Sequence, residues 1–146
     1  MKERMSIKTV EPRVYKGMAG LDEQIAKCEI DPTLRELIKI RVSQINGCGY
    51  CVNSHSKDAI EIGETQQRIF ALSAWWETPF FTETEMAALK LATEVTLISQ
   101  HGVSEETFEN ARRLLGEKGV SQVILVAIAM NAWNRIAIST RMVAEL

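Results

Sequence analysis

The sequence predicts an all-α protein, one compact helical domain of about six or seven helices. Apolar residues return every three or four positions along most of the chain, the spacing of one helix face. The pauses between these stretches hold residues that start or stop helices, such as Asp31-Pro32, Asn46-Gly47, Thr82 with Glu85, and Ser104. No stretch alternates apolar and polar as a half-buried strand does, and no internal repeat or low-complexity segment interrupts the pattern.

The 146 residues are enough for one domain with a core of its own, so residues 1–146 are read as a single unit. A composition 46% apolar and 25% charged is that of an ordinary globular domain. A net charge of −2 with no basic stripe argues against nucleic acid as a partner. The longest apolar run, Val123 to Met130, is too short to span a bilayer, and the N-terminus has charges but no apolar secretory core. Three cysteines make no disulfide framework, and two of them in C-x-x-C point to redox or metal chemistry in a cytoplasmic protein.

Residues 1–16 lack periodicity and are expected to form an arm. Met18, Leu21, Ile25 and Cys28 then mark a helix. Asp31 caps the next, with Pro32 at its first position, and Leu34, Leu37, Ile38, Arg41, Val42 and Ile45 line one side as far as Asn46. Another helix runs from about Cys48 through Val52, Ala59 and Ile60 to Gly63, and a shorter one from Glu64 to Ser73 carries Ile69, Phe70 and Leu72. An aromatic loop, Trp75 to Phe81, leads to Thr82 and Glu85, which form a capping-box pattern before a helix to about Ser99. Ser104 opens the next helix, ending at Gly116, and the last runs from Val120 to about Val143. That last helix is apolar nearly all round at first, which places it in the core or at a subunit interface.

The chemistry gathers between Glu36 and His55. Cys48, Cys51 and His55 are spaced three and four apart, so a helix puts them on one face. Glu36 precedes Cys48 by twelve residues, and the glycines between them allow the chain to fold back on itself. A thiol with a pKa of about 8.5 is mostly protonated at neutral pH, but the first turn of a helix favours the thiolate. His55 can accept the thiol proton, and Glu36 can orient the imidazole or take the proton in turn. Such a thiolate can attack a peroxide oxygen and become a sulfenic acid. A second cysteine then condenses with it to a disulfide, which an external dithiol must reopen. The zinc reading is weaker, because a structural site wants four ligands and Glu36, Cys28 and His101 offer no paired spacing. Cys28 reads as a small buried hydrophobe and His101 as a helix-end residue. The aromatic cluster reads as packing, with an apolar substrate pocket as the alternative. Asn131, Asn134 and Arg135, polar in an apolar helix, need partners in a loop, another subunit or the site region.

These residues resemble the alkylhydroperoxidase D-like branch of the carboxymuconolactone decarboxylase family. The likeness rests on the Glu36–Cys48–Cys51–His55 spacing, on Ser43 to Cys51, on Trp75 to Thr82 and on Asn131 to Arg135. The resemblance implies an all-helical homo-oligomer, a trimer or hexamer, acting as a thiol-dependent peroxidase on hydroperoxides. It implies Cys51 as the attacking thiol, Cys48 as the resolving one and His55 with Glu36 as the proton relay. It implies reduction by a dithiol from a lipoyl-bearing or thioredoxin-like protein, with no cofactor beyond the redox-active disulfide. In one place the chain departs: the best-known peroxidases carry a histidine just before the second cysteine, where this chain has Tyr50. A phenol with a pKa near ~10 is no neutral base at pH 7. The decarboxylase branch acts on a lactone acid without needing C-x-x-C, so the pair argues against decarboxylation. A redox-responsive module that is oxidised once without turnover is the non-enzymatic alternative.

Overall fold

The computed structural model describes residues 2–144. Among these are eight α-helices, one 3-10 helix and no strand. In order they are α1 (Ile7–Val10), α2 (Pro12–Ala26), α3 (Pro32–Asn46), α4 (Gly49–Glu61), α5 (Gln66–Ala71), the 3-10 helix (Leu72–Glu77), α6 (Glu83–Thr96), α7 (Ile98–His101) and α8 (Glu105–Thr140). The single turns α1 and α7 are additional to the expected helices, and the last two expected helices adjoin within α8.

Helices α3, α6 and α8 pack on one another, and α4 folds back along α3. Leu37, Ile38, Ile40 and Val42 from α3 meet Leu89 and Leu91 from α6 and Val123 and Val126 from α8, all essentially without solvent contact. Each such side chain contributes about 1.5–3 kcal/mol by leaving water, which is what holds these short helices together. An 18-residue window of α8 has a mean hydropathy of 1.4, so by length and composition this helix could cross a membrane. In this fold it is instead the helix that α3 and α6 pack against.

The caps follow the sequence closely. Asp31 Oδ1 accepts from the Leu34 N–H at 3.0 Å. Glu85 N–H donates to Thr82 Oγ1 at 3.2 Å while the Thr82 N–H donates to Glu85 Oε2 at 2.8 Å. Ser104 Oγ accepts from the Thr107 N–H at 3.2 Å, and the buried Glu94 carboxylate accepts from the Ser104 N–H at 2.8 Å. Burial alone raises the Glu94 pKa, but these donors outweigh it and hold it below its ordinary value.

The differences have local causes. Pro12 is helical rather than part of an arm, since its fixed φ suits a first helical position and its missing N–H costs nothing there. Arg4 is tied to the end of α8, its N–H donating to the Thr140 carbonyl at 2.8 Å. Helix α6 stops at Thr96, short of Ser99. Gly116 ends a helix as expected, at a non-helical φ 69°, ψ 171° that residues other than glycine avoid, but no long loop follows and the next helix starts directly within α8. The last helix ends at Thr140, with Arg141 left-handed at φ 56°. Ile60 and Phe70, placed on apolar faces by spacing, are exposed.

One polar ladder crosses the core. Asn134, only 1% exposed, donates through Nδ2 to Ser43 Oγ at 3.0 Å and accepts from Asn46 Nδ2 at 2.9 Å. Asn46 Nδ2 also reaches Asn131 Oδ1 at 3.1 Å, and Asn131 is held by Arg135 and by the Ala127 carbonyl. Asn131 and Asn134 thus find partners in the last turn of α3, Asn131 also at Thr96 of α6, while Arg135 bonds Asn131 on its own helix. Asn134→Ala is expected to take one partner each from Ser43 and Asn46, which keep the Lys39 carbonyl and Asn131, and to lower stability by roughly 1–3 kcal/mol, measured as a lower urea midpoint at unchanged slope. A midpoint within experimental error of wild type would show the ladder to be dispensable.

Candidate redox-active site

The site is built on the reversal between α3 and α4. Gly47 adopts φ 71°, ψ 30°, and the Cys48 and Gly47 N–H groups donate to the Ser43 and Gln44 carbonyls at 2.9 and 3.2 Å. This paired closure ends α3 and leaves Cys48 as the N-cap of α4. Cys48 Sγ accepts from the Cys51 N–H at 3.3 Å, and the two cysteines are joined as a disulfide with their Cα atoms 5.4 Å apart. Both lie in the first turn of α4, where the free N–H groups favour negative charge on sulfur. Both are buried, Cys48 at 1% and Cys51 at 4% exposure.

Antiparallel packing of α3 against α4 brings Glu36 beside His55. Glu36 Oε2 lies 2.9 Å from His55 Nδ1, and Glu36 Oε1 accepts from Lys39 Nζ at 2.7 Å. A carboxylate only accepts, so Nδ1 is the donor and Nε2 is left as the basic nitrogen. Burial raises the Glu36 pKa, but the His55 and Lys39 hydrogen bonds and the Lys39 charge more than cancel this, and the carboxyl sits below its ordinary value. Asp58 Oδ2 approaches the same His55 nitrogen at 3.4 Å. Glu36, His55 and Asp58 could offer a cation three ligand atoms within 4.8 Å of one another, but the Lys39 ammonium already neutralises Glu36 there.

Cys51 and His55 line one cavity of about 180 Å³, together with Tyr15, Asp22, Tyr50 and Trp133. Cys48 lines a different one of about 340 Å³, with Gly47, Gly49, Ile138 and Arg141. Tyr50, Ala137 and Met142 line both, so they form the partition. The Tyr15 and Trp133 rings meet edge to face, 5.3 Å between centroids, which fixes the start of α2 over the Cys51 cavity.

The structure thus brings together Glu36, Cys48, Tyr50, Cys51 and His55. Cys28 stands apart, its thiol directed at the Gln24 carbonyl, and His101 is exposed at the end of α7. The aromatic cluster divides: Trp75 and Phe81 are buried, Trp76 and Phe80 exposed. Trp75 lines a separate cavity with Met86, Lys90 and Arg113, and none of the four aromatics lines the cysteine cavities. Packing is the role of Trp75 and Phe81 alone.

Sequence reasoning missed Asp22, Lys39 and Asp58. Lys39 and Asp58 each stand three residues from a site residue on the same helix, a detectable spacing. Asp22 had no local signal, since only the packing of α2 brings it to the cavity. Partial burial raises its pKa, with Trp133, Lys39 and His55 opposing and Glu36 reinforcing the rise.

Comparison with known proteins agrees with this geometry. The model of the carboxymuconolactone decarboxylase family matches residues 12–94. The Bacillus subtilis protein YdfG, itself uncharacterized, is 40% identical over 139 residues, covering 95% of each chain. The Agrobacterium tumefaciens protein ATU0492, of unknown function and proposed as an antioxidant defence protein AhpD, superposes with a TM-score of 0.96 at 31% identity over 99% of each chain. A form of the debrominase Bmp8 solved with 2,3,4-tribromopyrrole shares the fold at a TM-score of 0.85 and 21% identity, over 94% of this chain and 73% of that one. The chain belongs to the carboxymuconolactone decarboxylase family, as an alkylhydroperoxidase D-like member of it.

Proposed function

We propose that this protein is a thiol-dependent peroxidase that reduces hydroperoxides through Cys51 and Cys48 and is regenerated by an external dithiol. The observation that carries this reading is a disulfide in the first turn of α4 whose Cys51 end shares a cavity with the Glu36-oriented His55. In the reduced protein His55 takes the Cys51 proton, and the thiolate attacks the terminal oxygen of the hydroperoxide. The S–O bond forms as the O–O bond breaks, and the alcohol leaves with a proton returned through His55. Asp22, whose pKa partial burial raises above the ordinary carboxyl value, stands at the same cavity. Cys48 then displaces water from the sulfenic acid and closes the disulfide. Tyr50 supplies a wall and a hydroxyl, not a second base.

In the same reading the protein is a homo-oligomer, a trimer or hexamer, working in a reducing compartment such as the cytoplasm. A second reading, a module oxidised once without turnover, draws on one observation: both sulfurs are nearly inaccessible.

Peroxide consumption with a dithiol reductant separates the two. Wild type is expected to turn over continuously, Cys51→Ser to lose roughly a hundredfold or more of the rate, and Cys48→Ser to react once and stall. Loss of two thiols with no cycling would favour the module, and lactone decarboxylation that survives replacement of both cysteines would favour a decarboxylase. Glu36→Gln gives an independent check. Because the Glu36 pKa is held below its ordinary 4.5, the stability it contributes is full above that pH and is lost as pH falls through the lowered value. Glu36→Gln should flatten the acid dependence of stability and shift the acid limb of the Cys51 oxidation rate. If neither curve changes shape, Glu36 does not act on His55.

A further inference from the structure

The disulfide is contacted by two cavities, one at each sulfur, and they differ in chemistry. The Cys51 cavity holds the groups that move protons: His55, Asp22 and the phenols of Tyr15 and Tyr50. Beyond the shared partition, the Cys48 cavity is lined by two glycines, Ile138, Ala144 and one cation, Arg141. Among the described residues its lining has no carboxylate or imidazole. It is also the larger, about 340 Å³ against about 180 Å³.

Resting on the peroxidase reading above, we propose that electrons enter through Cys48: the reducing dithiol docks in the Cys48 cavity and attacks Cys48 Sγ, on the opposite side of the Tyr50 partition from the hydroperoxide. The incoming thiolate forms a bond to Cys48 Sγ as the Cys48–Cys51 bond breaks. Cys51 leaves as the thiolate, in the first turn of α4 with His55 at its cavity, and is the better leaving group for that reason. The second thiol of the donor loses its proton to solvent and attacks the donor's own sulfur in the mixed disulfide. The donor departs as a disulfide, Cys48 departs as a thiol after protonation, and two electrons have passed to the protein.

Arg141 favours this step, since a cation beside the cavity stabilises the thiolate form of the donor. Its position is fixed by the left-handed cap that ends α8. The depth of the target selects the donor's shape. Cys48 is 1% exposed, and a cavity of about 340 Å³ admits a group of small-ligand size. A dithiol on a slender, flexible arm can reach the sulfur through such a space, whereas a thiol embedded in a rigid protein surface cannot. The arrangement lets the disulfide be reduced while the Cys51 cavity keeps its shape for the next hydroperoxide.

The test needs no peroxide. Full-length protein is oxidised with diamide, mixed with excess monothiol (2-mercaptoethanol), quenched with acid after milliseconds and mapped by peptide mass spectrometry. The adduct is expected on Cys48 in at least tenfold excess over Cys51; an adduct mainly on Cys51 overturns the assignment. In parallel, reduction by dihydrolipoamide is followed for wild type and Ile138→Trp, a change at a 45% exposed position that narrows the Cys48 cavity. A tenfold or greater loss of rate is expected, with helicity checked by circular dichroism, and an unchanged rate overturns the docking site. If the variant does not fold, the adduct map on wild type still decides. Faster reduction by thioredoxin than by dihydrolipoamide overturns the slender-arm donor. Failure of the reduced protein to consume hydroperoxide would sink the peroxidase reading and leave the adduct map fully interpretable.

Discussion

The reversal between α3 and α4 is the constraint on which the rest of the site depends. Gly47 must be left-handed for Cys48 to cap α4, and Cys48 must cap α4 for Cys51 to lie in its first turn. What holds that reversal is a buried polar ladder. Asn134 and Asn131 reach from α8 to Asn46, the residue just before the turn, and to Ser43 one turn earlier. Polar groups in a dry core bond in fixed directions, and leaving one unpaired is costly. Apolar packing of α3 on α8 would tolerate a small slide, whereas the ladder admits one register. The position of the redox sulfurs is thus fixed by α8, a helix that contributes no sulfur.

The same geometry makes one carboxylate serve two ends. Glu36 is buried, yet both its oxygens are engaged, one by Lys39 and the other by His55. The two donors overcome the burial penalty and keep the carboxyl charged, and that charge selects the histidine tautomer. Asp22 lies on the opposite footing, with burial dominant and its pKa raised. Two carboxyls near one imidazole are thus driven apart in acidity by their surroundings.

Much of this was legible in the sequence because it is local. The caps at Asp31, Thr82 and Ser104 depend on residues three apart, and the meeting of Cys48, Cys51 and His55 depends on the period of a single helix. Glu36 could be placed because one hairpin with a glycine turn brings it back. The resemblance to the alkylhydroperoxidase D-like branch rested on the same stretches, and the family match bears it out. The rest is tertiary. Periodicity shows nothing at Pro12 because the first turn of α2 is held by the Tyr15–Trp133 ring contact, ahead of the apolar positions Met18, Leu21 and Ile25. Asp22 reaches the cavity only through the packing of α2, and the partition between the cavities needs α4 and α8 together. Gly116 is an end, as glycine commonly marks one, but the kink there spans a single non-helical residue, so the loop expected before Val120 is missing.

The helix hairpin that carries Glu36, both sulfurs and His55 is one continuous stretch of twenty residues, while much of the wall facing the sulfurs comes from α2, α8 and the segment after α8. Reactivity and molecular shape are therefore encoded in separate parts of the chain. Substitutions at Tyr15, Met130, Trp133 or Met142 can remodel what the sulfur meets without disturbing the cap that charges it. A lineage built on this scaffold can explore new reaction partners by small changes in its walls while the hairpin stays as it is. A fold so divided is one in which chemistry outlasts specificity.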